Sequence, residues 1–514
     1  MVIRRLRLYG WGVFAGIWAG LAMALTSALL RLHAGVSLHS ELGGDLVLPH
    51  VPVDQFLAML GRLGGPLMAK ELALLGDLPG LVGAGMASGV LFAAATRRFD
   101  RGQRPVRSAV IFVIAAVAIA WLASLAVFWP VAGAGYTGLP LAEARAATAA
   151  GLLITYAVFG CALLGYRSLA KSQNTRSAVG STISRRSALL AGSGLAMAAA
   201  TGVLARQLFD RSDLGYDGLQ YRGAAAITPA GEFYVVTKNL IDPRVEVSNW
   251  TLEVVGLVDR PASYSLAALR RLTPTEHELT LECISNYIGG GLISNARWKG
   301  VPLPSLLQAA GLQPGAGLVN LRSVDGYVVS ATLEEAMDPL ALIAYEMNGE
   351  ALPDRHGYPA RALMPRNYGE FSAKWITQIE VARGPEVGYY ELQGWNAHFV
   401  HTMARFSSPR NGHVVTAASG PIRLAGIAFA AGRGISKVEV STDGASTWAP
   451  AVLDIPGTRA SWTLWSLSWT PTKPGRYSLA VRAVDGEGNA QTPRNHGTAP
   501  AGATGFHRID VVVV

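Results

Sequence analysis

The sequence predicts a chain with three parts: a membrane α-helical bundle, an α+β domain and a C-terminal immunoglobulin-like β-sandwich. Half of the 514 residues are hydrophobic and the mean hydropathy is positive, which is high for a soluble protein. The long apolar runs lie in residues 1–206, and short alternating runs follow them. With two cysteines in the whole chain, a disulfide framework is excluded.

The first part contains apolar runs of the length needed to cross a bilayer. About 20 consecutive apolar residues span the hydrocarbon core as a helix, which bonds all of its backbone polar groups internally. The alternative is a set of core helices in a soluble domain. The predicted spans are residues 9–30, 78–96, 108–129 and 147–166, with a fifth, shorter and richer in Ala and Gly, at 188–205.

The distribution of charge also indicates a membrane. The net charge of +9 is the sum of +11 over residues 1–206 and −2 over residues 207–514. Because the basicity belongs to the apolar part, it argues for a bilayer and against nucleic acid as the partner. Basic connecting segments alternate with nearly neutral ones, and basic segments stay on the cytoplasmic side. The N-terminus is therefore predicted inside, and residues 206–514 outside after five crossings.

The fifth predicted span begins with SRRSALL, residues 184–190. This stretch is similar to a twin-arginine export signal placed inside the chain, although Ala188 stands where such signals usually have Phe. An ordinary helix with a positive flank explains the arginines equally well. Cleavage near the small residues 196–200 stays open. No histidine lies within a predicted span, which disfavours a membrane haem held by paired histidines.

The remainder of the chain changes from mixed to all-β texture. Short strands are predicted at 250–258, 277–284 and 317–324, and a helix that ends at a glycine is predicted at 303–311. After about residue 405, alternating segments at 435–444, 461–470 and 476–489 indicate an immunoglobulin-like sandwich. The predicted domains are a five-span membrane anchor at 1–206, a catalytic α+β domain at 207–404 and the sandwich at 405–514.

Cys283 stands out within the stretch TLECISNYIGGG, residues 280–291. Strand periodicity places the side chains of Leu279, Leu281 and Cys283 on one face. A thiolate suits a soft or high-valent metal, but one cysteine cannot build a zinc or iron–sulfur site alone. The other ligands would have to come from a cofactor. The alternative is that Cys283 is a small buried hydrophobic residue.

Several motifs in this region resemble the sulfite-oxidase-type molybdopterin-dependent oxidoreductases. They occur in the family's order: TLECISN, then RWKGVPL, AYEMNGE, RHGYPAR and YGEFSAKW. The segments SSPRNG, KVEVSTDGASTW and RAVDGEGN resemble the family's immunoglobulin-like C-terminal domain. The resemblance covers about residues 230–512 and does not extend to the membrane part. It implies a sulfite-oxidase-like molybdopterin domain with one molybdenum per chain.

The resemblance implies roles for particular residues. Cys283 matches the protein thiolate on molybdenum, and Tyr345 matches the catalytic tyrosine. By their positions alone, Tyr345 could instead be a core residue and the basic residues a solvated loop. The residues implied to bind the cofactor are Asn239 near the pterin, Asp325 as acceptor of a pterin N–H, and His356, Arg361, Ser372, Ala373 and Lys374 around its phosphate.

The implied reaction is two-electron oxygen-atom transfer, by family default the oxidation of sulfite or a related oxyanion. Sulfite-oxidising members carry Arg-Asn-His where this chain has Thr237-Lys238-Asn239. Since Lys238 cannot offer the bidentate guanidinium fork, sulfite is in doubt. A reductase of sulfoxides or other S- or N-oxides is the alternative, and a metal-free anchored binding protein is another. The chain contains no C-x-x-C-H haem motif, so a separate electron-transfer partner is expected, and a homodimer is also implied.

Overall fold

The computed structural model describes residues 2–99, 105–174, 185–212, 221–416 and 420–514, and describes the backbone alone at 2–9, 98–99, 105, 169–174 and 185–190. The helices are α1 (Val2–Ala34), α2 (His39–Val47), α3 (Val53–Arg62), α4 (Pro66–Phe99), α5 (Pro105–Phe128), α6 (Leu141–Asn174), α7 (Arg185–Ser212), α8 (Leu266–Leu269), α9 (Leu303–Ala310), α10 (Leu333–Ala336) and α11 (Tyr389–Leu392). The strands of the central part are β1 (Leu252–Gly256), β2 (Ala262–Tyr264), β3 (Thr275–Glu282), β4 (Ile293–Pro302), β5 (Leu318–Ser323), β6 (Val328–Thr332), β7 (Leu342–Met347), β8 (Glu350–Ala351), β9 (Arg361–Leu363) and β10 (Ile376–Ala382). Those of the last part are β11 (Met403–Ser408), β12 (Val414–Val415), β13 (Ile422–Phe429), β14 (Ile435–Ser441), β15 (Ala449–Pro450), β16 (Val452–Ile455), β17 (Thr463–Trp469), β18 (Gly475–Asp485) and β19 (His507–Val513).

The chain divides into two compact units whose limits differ from a simple cut after residue 206. The first unit comprises Met1–Leu48, Leu63–Leu214 and Asn239–Pro243. The second comprises Pro49–Arg62, Gly215–Lys238 and Arg244–Val514. The predicted membrane anchor therefore contributes Pro49–Arg62 to the second unit, and the predicted catalytic domain contributes two stretches, residues 207–214 and Asn239–Pro243, to the first.

Glycines allow α1 and α4 of the first unit to pack at very short range. A Cβ atom added at Gly12, Gly16 or Gly20 would collide with the backbone of α4. Gly12 faces Gly89, whereas Gly20 faces Val82, so the two helices run antiparallel. Small residues at such crossings are typical of helices that associate in lipid, where close backbone approach supplies the packing energy.

Helix α7 runs along α1 in the same direction. The indole N–H of Trp18 donates to Ser193 Oγ at 3.2 Å, near the start of α7. Close to its end, Arg211 Nη1 donates to the carbonyl of Leu32 at 3.1 Å. Because both contacts advance together along the two helices, α7 is parallel to α1.

In the part of the chain that the structure describes, four helices are long and apolar enough to cross a membrane. These segments are Gly10–Ala34, Pro66–Arg97, Val106–Phe128 and Leu141–Ser168. They match the first four predicted spans, of which residues 9 and 129 alone fall outside them. The fifth, predicted at 188–205, falls in α7 but is not among them, because α7 is rich in Ala, Gly and Ser. Ser184 of the twin-arginine-like motif and the side chains of 185–190 lie outside the described residues.

A buried ion pair joins the end of α1 to α2. Arg31 Nε lies 2.8 Å from Glu41 Oε2, and the two side chains are 5% and 2% exposed. Arg31 Nη2 also donates to Glu41 Oε1 at 3.0 Å and to the Ile241 carbonyl at 2.7 Å. The Leu38 N–H donates to Glu41 Oε2 at 2.8 Å. The pair therefore connects α1, α2 and the Asn239–Pro243 segment within the first unit.

Removing the charge of Glu41 should destabilise the first unit. We expect Glu41→Gln to lower the free energy of unfolding by about 3 kcal/mol, because it leaves Arg31 buried without a counter-charge. Unfolding of the full chain in detergent, followed by circular dichroism, measures this loss. Asp210→Asn is the control, since its pair with Arg206 is exposed and should change stability by less than about 0.5 kcal/mol. Equal losses in the two variants would contradict the prediction.

The central part of the second unit is built from two sheets. One has the strand order β2-β1-β10-β5-β6, and the other has β3-β4-β7-β8 with β9 also paired to β7. A large apolar core packs against both. A second core, which includes Leu279, Leu281 and Trp298, covers the far face of the β3-β4-β7 sheet. The predicted α+β texture is confirmed, and α9 ends at Gly311 as expected.

The last part is the predicted β-sandwich. Its sheets have the orders β11-β13-β17-β16 and β12-β19-β18-β14-β15, and their inner faces enclose a core that includes Trp465, Leu479 and Val511. The loop before β17 reaches β3 of the central part, since Thr280 N donates to the Ala460 carbonyl at 2.8 Å. Arg459 and Asp338 add a two-pronged ion pair with distances of 2.8 and 2.7 Å. The sandwich thus braces the strand that leads to Cys283.

Helix α3 belongs to the second unit although it lies between the first two predicted spans. The Val53 N–H donates to the carbonyl of Gln393 at 2.8 Å. Val53 is buried in the large core with Trp395, and Leu57 packs against that core. The connection between α2 and α4 is therefore part of the unit that carries Cys283.

Candidate functional site

Cys283 follows the last residue of β3 and begins a tight turn. Its N–H donates to the carbonyl of Leu292 at 2.9 Å, and its Sγ lies 3.0 Å from Ser285 Oγ. The half-buried side chain packs against the core that contains Leu279 and Leu281, which confirms the predicted phase of the strand.

Asn286 braces the turn after Cys283. Its N–H donates to the Cys283 carbonyl at 2.9 Å, its side-chain amide donates to Glu282 Oε1 at 2.9 Å, and its Oδ1 accepts from Leu292 N at 3.0 Å. A Cβ at Gly290 would collide with Asn286 Oδ1. That glycine is therefore required by the close approach of the turn, and the turn fixes the position of the thiol.

The environment of Cys283 favours the protonated thiol. Burial raises the pKa of the Cys283 thiol to about 12, and the charge of Glu370 adds to the effect. A nucleophilic cysteine needs the opposite shift, toward the thiolate at neutral pH. A metal ion supplies the positive charge that removes the proton from a coordinating thiol. The site therefore suits metal ligation better than covalent catalysis.

Two tyrosines and two glutamates share an electrostatic cluster with Cys283. Burial raises the pKa of Tyr234 and Tyr368, and the charges of Cys283, Glu282 and Glu370 raise both further. Burial also raises the pKa of Glu282 to about 7. The structure therefore brings phenol and carboxyl groups, which can donate or accept protons, to the thiol.

Glu370 is held in this cluster by its backbone. The Tyr327 hydroxyl donates to the Glu370 carbonyl at 2.9 Å. A Cβ at the preceding Gly369 would collide with the Tyr234 hydroxyl, so the chain is pressed against that tyrosine. Burial raises the pKa of the Glu370 carboxyl to about 8, with a contribution from Glu391.

Tyr345 does not join the cluster. Along β7, Leu342 and Ala344 belong to the core that Cys283 packs against, whereas Tyr345 belongs to the large core on the opposite face of the sheet. The guanidinium of Arg270 lies 5.6 Å from the centre of the Tyr345 ring. The expectation that Tyr345 is the catalytic tyrosine is corrected, because the one-residue alternation of a strand turns its side chain away from Cys283.

A basic pocket lies on the same face as Cys283 and includes Arg361 at the start of β9. Arg361 is 5% exposed, and its guanidinium lies 5.2 Å from the centre of the Trp298 ring. Its Nη1 donates to the His356 carbonyl at 3.2 Å and its Nη2 to the Ser372 carbonyl at 2.8 Å. Its Nε has no hydrogen-bond partner among the described residues.

Gly357 brings Arg361 and Lys374 together. Its φ of 107° is in the left-handed region, and an added Cβ would lie 3.0 Å from Arg361 Cβ and 3.1 Å from Lys374 Cα. Trp375 also has a positive φ, of 51°, which is rare for a bulky residue and concentrates at functional sites. The Lys374 ammonium lies 4.3 Å from the centre of the Trp375 ring. The backbone is bent so that two cations share one pocket.

His356 is neutral in this pocket. Burial lowers the pKa of His356 to about 3, and the charges of Arg361, Lys374 and Arg355 lower it further. Its Nε2 lies 3.0 Å from the carbonyl of Ala230, so this nitrogen carries the hydrogen and Nδ1 is an acceptor. His356 is therefore better suited to accept a hydrogen bond from a pterin N–H than to attract a phosphate.

The other predicted cofactor residues are placed as follows. The Ser372 carbonyl accepts from Arg361, and the Ala373 carbonyl accepts from Ala362 N at 2.9 Å. Asp325 Oδ1 accepts from Tyr327 N at 3.1 Å. Asn239 is buried and belongs to the first unit.

These residues fit a cofactor that carries both sulfur ligands and a phosphate. Within the described residues, no group of three or more His, Cys, Asp or Glu side chains could hold a metal ion. Cys283 could therefore bind a metal only if a cofactor supplied further ligands. The buried guanidinium of Arg361, with one N–H still unbonded, and the nearby Lys374 provide the positive charge that a phosphate needs.

Sequence reasoning missed Tyr234, Tyr368 and Glu370. The last two lie inside the YGEFSAKW motif, and Tyr234 lies in FYVVTKN beside the predicted Asn239. Gly369, which lies between Tyr368 and Glu370, is the one feature of the sequence that could have pointed to them, because a glycine often marks a close approach of the backbone to another group. No local pattern indicates that Tyr234, from a segment without regular structure, completes the cluster.

Comparisons with known proteins identify the family of the chain. The family model "Oxidoreductase molybdopterin binding domain" matches residues 239–390, and the model "Mo-co oxidoreductase dimerisation domain" matches residues 400–513. Sulfite oxidase of Gallus gallus is 31% identical over 316 residues, which cover 52% of this chain and 68% of that protein. The NADH nitrate reductase of Solanum lycopersicum is 29% identical over 328 residues, which cover 52% of this chain and 36% of that protein.

Among solved structures, the sulfane dehydrogenase SoxCD of Paracoccus pantotrophus is 25% identical, with a TM-score of 0.47, over 52% of this chain and 75% of that one. The chain spans 57% of the length of the mitochondrial sulfite oxidases that it matches. The two family models match residues 239–390 and 400–513, which contain none of the four long apolar helices.

Proposed function

The chain belongs to the sulfite-oxidase-type molybdopterin-dependent oxidoreductase family, and we propose that it is a membrane-anchored enzyme of two-electron oxygen-atom transfer. The observation that carries this proposal is the placement of Cys283 on the same face of the sheet as the Arg361 pocket. A thiol and a cationic pocket on one surface suit a cofactor that carries both a metal and a phosphate.

Different residues of the chain are proposed to hold the metal, the phosphate, the pterin and the substrate. When bound, the molybdenum cofactor supplies the oxygen-atom transfer itself. Cys283 would ligate the metal, and Arg361 and Lys374 would hold the phosphate. We assign the role of the catalytic tyrosine, expected of Tyr345, to Tyr234 or Tyr368, because their phenol groups lie in the cluster with the Cys283 thiol. Asn239, Asp325, His356, Ser372 and Ala373 remain proposed contacts of the pterin.

Metal analysis separates this function from that of a metal-free anchored binding protein. We expect the full chain, produced in cells that make the cofactor and purified in detergent, to contain about one molybdenum per chain. Substrates should be screened with artificial electron donors and acceptors. A metal-free protein from such cells would reject the enzyme proposal and favour the binding protein.

We also propose that α7 is a fifth crossing and that the second unit lies outside the cytoplasmic membrane. The parallel course of α1 and α7 supports this, since a helix that runs alongside α1 crosses in the same direction. The placement of α3 supports it independently. Because α3 follows the first span but belongs to the second unit, an odd number of crossings must separate the N-terminus from that unit.

Cysteine labelling tests this topology. In a chain whose two native cysteines are replaced by serine, Arg62→Cys and Arg410→Cys should both react with a membrane-impermeant maleimide on whole cells. Gln103→Cys, in the connection between the second and third predicted spans, should react only after lysis. Labelling of Arg62→Cys and Arg410→Cys from opposite sides would indicate four crossings and overturn the proposal.

The substrate and partners are also proposals. The relatives named above are sulfite oxidases and nitrate reductases, which makes sulfite or a related oxyanion the first candidate. The carboxyl groups around Cys283 favour a second candidate, an S- or N-oxide. A separate electron-transfer partner is required under either candidate. The match to a dimerisation domain supports a homodimer through the sandwich.

A further inference from the structure

We propose that His507, the first residue of β19, is a positioning residue that holds the turn carrying Cys283. This gives the C-terminal sandwich, whose family model names only dimerisation, a second role as part of the candidate metal site. The inference rests on the proposed function of Cys283 as a ligand. It goes further by naming a side chain of another domain that fixes the position of the thiol.

The turn continues from Cys283 into a short loop, residues 287–291, which we call the glycine loop. The Cys283 N–H donates to the carbonyl of Leu292, directly after the loop, at 2.9 Å. The Leu292 N–H donates in turn to Asn286 Oδ1 at 3.0 Å, and that oxygen lies against Gly290. Because these bonds join both ends of the glycine loop to Cys283, a displacement of the loop also displaces the thiol.

The imidazole of His507 lies directly against the glycine loop. A Cβ atom added at Gly289 would collide with the His507 ring, and Nε2 would be the nearest atom. Gly289 also has a φ of 80°, in the left-handed region that glycine adopts without strain. The loop therefore approaches the ring as closely as a backbone without a side chain allows, and the ring blocks its movement toward β19.

The opposite edge of the His507 ring is fixed by β11. Its Nδ1 accepts from the Phe406 N–H at 3.0 Å, so in the neutral ring the hydrogen is on Nε2, the atom that faces Gly289. Burial lowers the pKa of His507 to about 4, and the charges of Arg405 and Arg222 lower it further. The ring is therefore uncharged near pH 7 and acts on the glycine loop by its shape.

The sandwich also holds the far end of the glycine loop. Arg405 of β11 is buried, and its Nη2 donates to the carbonyl of Tyr221 at 3.1 Å. The Tyr221 N–H donates to the carbonyl of Gly291 at 2.9 Å. The glycine loop is thus held at two points from the sandwich, directly by His507 and indirectly by Arg405.

Such support matters more for a metal ligand than for a buried hydrophobic residue. A ligand has to stay within about 0.5 Å of its productive geometry, and loss of a group that orients a ligand typically lowers metal affinity or activity by about 10- to 100-fold. His507 acts through the backbone of the glycine loop, which makes it a positioning residue and not a catalytic one.

Two substitutions separate the contact with the glycine loop from the hydrogen bond to Phe406. In His507→Asn, Oδ1 replaces Nδ1 as the acceptor for the Phe406 N–H, but the side chain ends short of Gly289. In His507→Gln, the longer side chain reaches Gly289. His496→Asn is the control, because His496 is an exposed histidine of the same sandwich.

The first measurement is the rate at which N-ethylmaleimide alkylates Cys283. It uses the full chain in detergent, made without the cofactor and with Cys161→Ser, which leaves Cys283 as the sole cysteine. We expect His507→Asn to raise the rate about tenfold, because the turn opens more often. The rate in His507→Gln should stay within about twofold of the wild type, and His496→Asn should not change it.

The molybdenum-loaded chain gives a second measurement. His507→Asn should keep about one molybdenum per chain and lower kcat about tenfold. It should also shift the electron paramagnetic resonance signal of the one-electron-reduced metal, since that signal reports on the sulfur bound to it. A variant that was only less stable would contain fewer active molecules and would leave the signal in its wild-type position.

The outcomes separate this inference from the proposed function. Equal alkylation rates in the wild type and His507→Asn would overturn the inference, and so would equal increases in His507→Asn and His507→Gln or an unshifted metal signal. If either variant fails to fold, hydrogen exchange of the wild type decides, because amides 287–292 should exchange as slowly as those of β3 and rapid exchange would reject the inference. A wild-type chain without molybdenum would overturn the proposed function, whereas the alkylation rates would still decide whether His507 holds the turn.

Discussion

Replacing Cys283 with serine is expected to remove molybdenum from the thiol end of the site and to lower turnover by more than about 100-fold. Even side chains that only support a metal ligand cost 10–100-fold in metal affinity or activity when removed, so loss of the ligand itself should cost more. A hydroxyl is a much weaker ligand than a thiolate for a soft or high-valent metal. Metal content by mass spectrometry and turnover per chain measure the two losses.

The chain provides a matched control for this prediction. Cys161, the other cysteine, is exposed on α6 of the first unit, so Cys161→Ser should keep both molybdenum and turnover. The reading of Cys283 as a small buried hydrophobic residue predicts a different result, because serine of nearly equal size would then preserve turnover. Full molybdenum content and activity in Cys283→Ser would therefore reject its role as ligand.

Strand periodicity predicted the position of Cys283 but could not place its partners. The alternation of Leu279, Leu281 and Cys283 depends only on neighbouring residues, and the structure confirms it. Tyr345 follows the same rule on β7, yet the face it occupies depends on how β7 pairs with β4. Register between distant strands is set by the hydrophobic pattern of the whole sheet, and a shift of one residue exchanges the two faces.

The basic pocket shows a similar limit. The motifs that hold His356, Arg361 and Lys374 were recognised as a set, but their chemical states depend on burial. The sequence predicted His356 as one of the residues around the phosphate, where a positive charge would be useful. The structure shows it buried among three cations, which lower its pKa and keep the imidazole neutral. Hydropathy likewise could not orient α7, whose direction parallel to α1 follows from its contacts with that helix.

The second large effect is expected at Arg361. We expect Arg361→Met to weaken retention of the cofactor by about 10- to 100-fold, since a hydrogen bond to a charged group contributes about 1.5–3 kcal/mol. Methionine fills a similar volume against Trp298 but offers no N–H to a phosphate. Cofactor retention in Arg361→Lys should lie between that of the wild type and that of Arg361→Met, because lysine keeps the positive charge and loses the planar guanidinium fork. Cofactor that remains after dialysis, measured as oxidised pterin fluorescence, gives the ratio.

Arg366→Met is the matched control for Arg361→Met, because Arg366 pairs with the exposed Glu334 and lies only five positions along the chain. It should retain the cofactor as the wild type does. Burial already lowers the pKa of Arg361 to about 10, so its charge carries a desolvation cost that a nearby anion would help to offset. If Arg361→Met retained the cofactor fully, the phosphate could not occupy this pocket, and the cofactor would have to bind to the face of the sheet in another orientation.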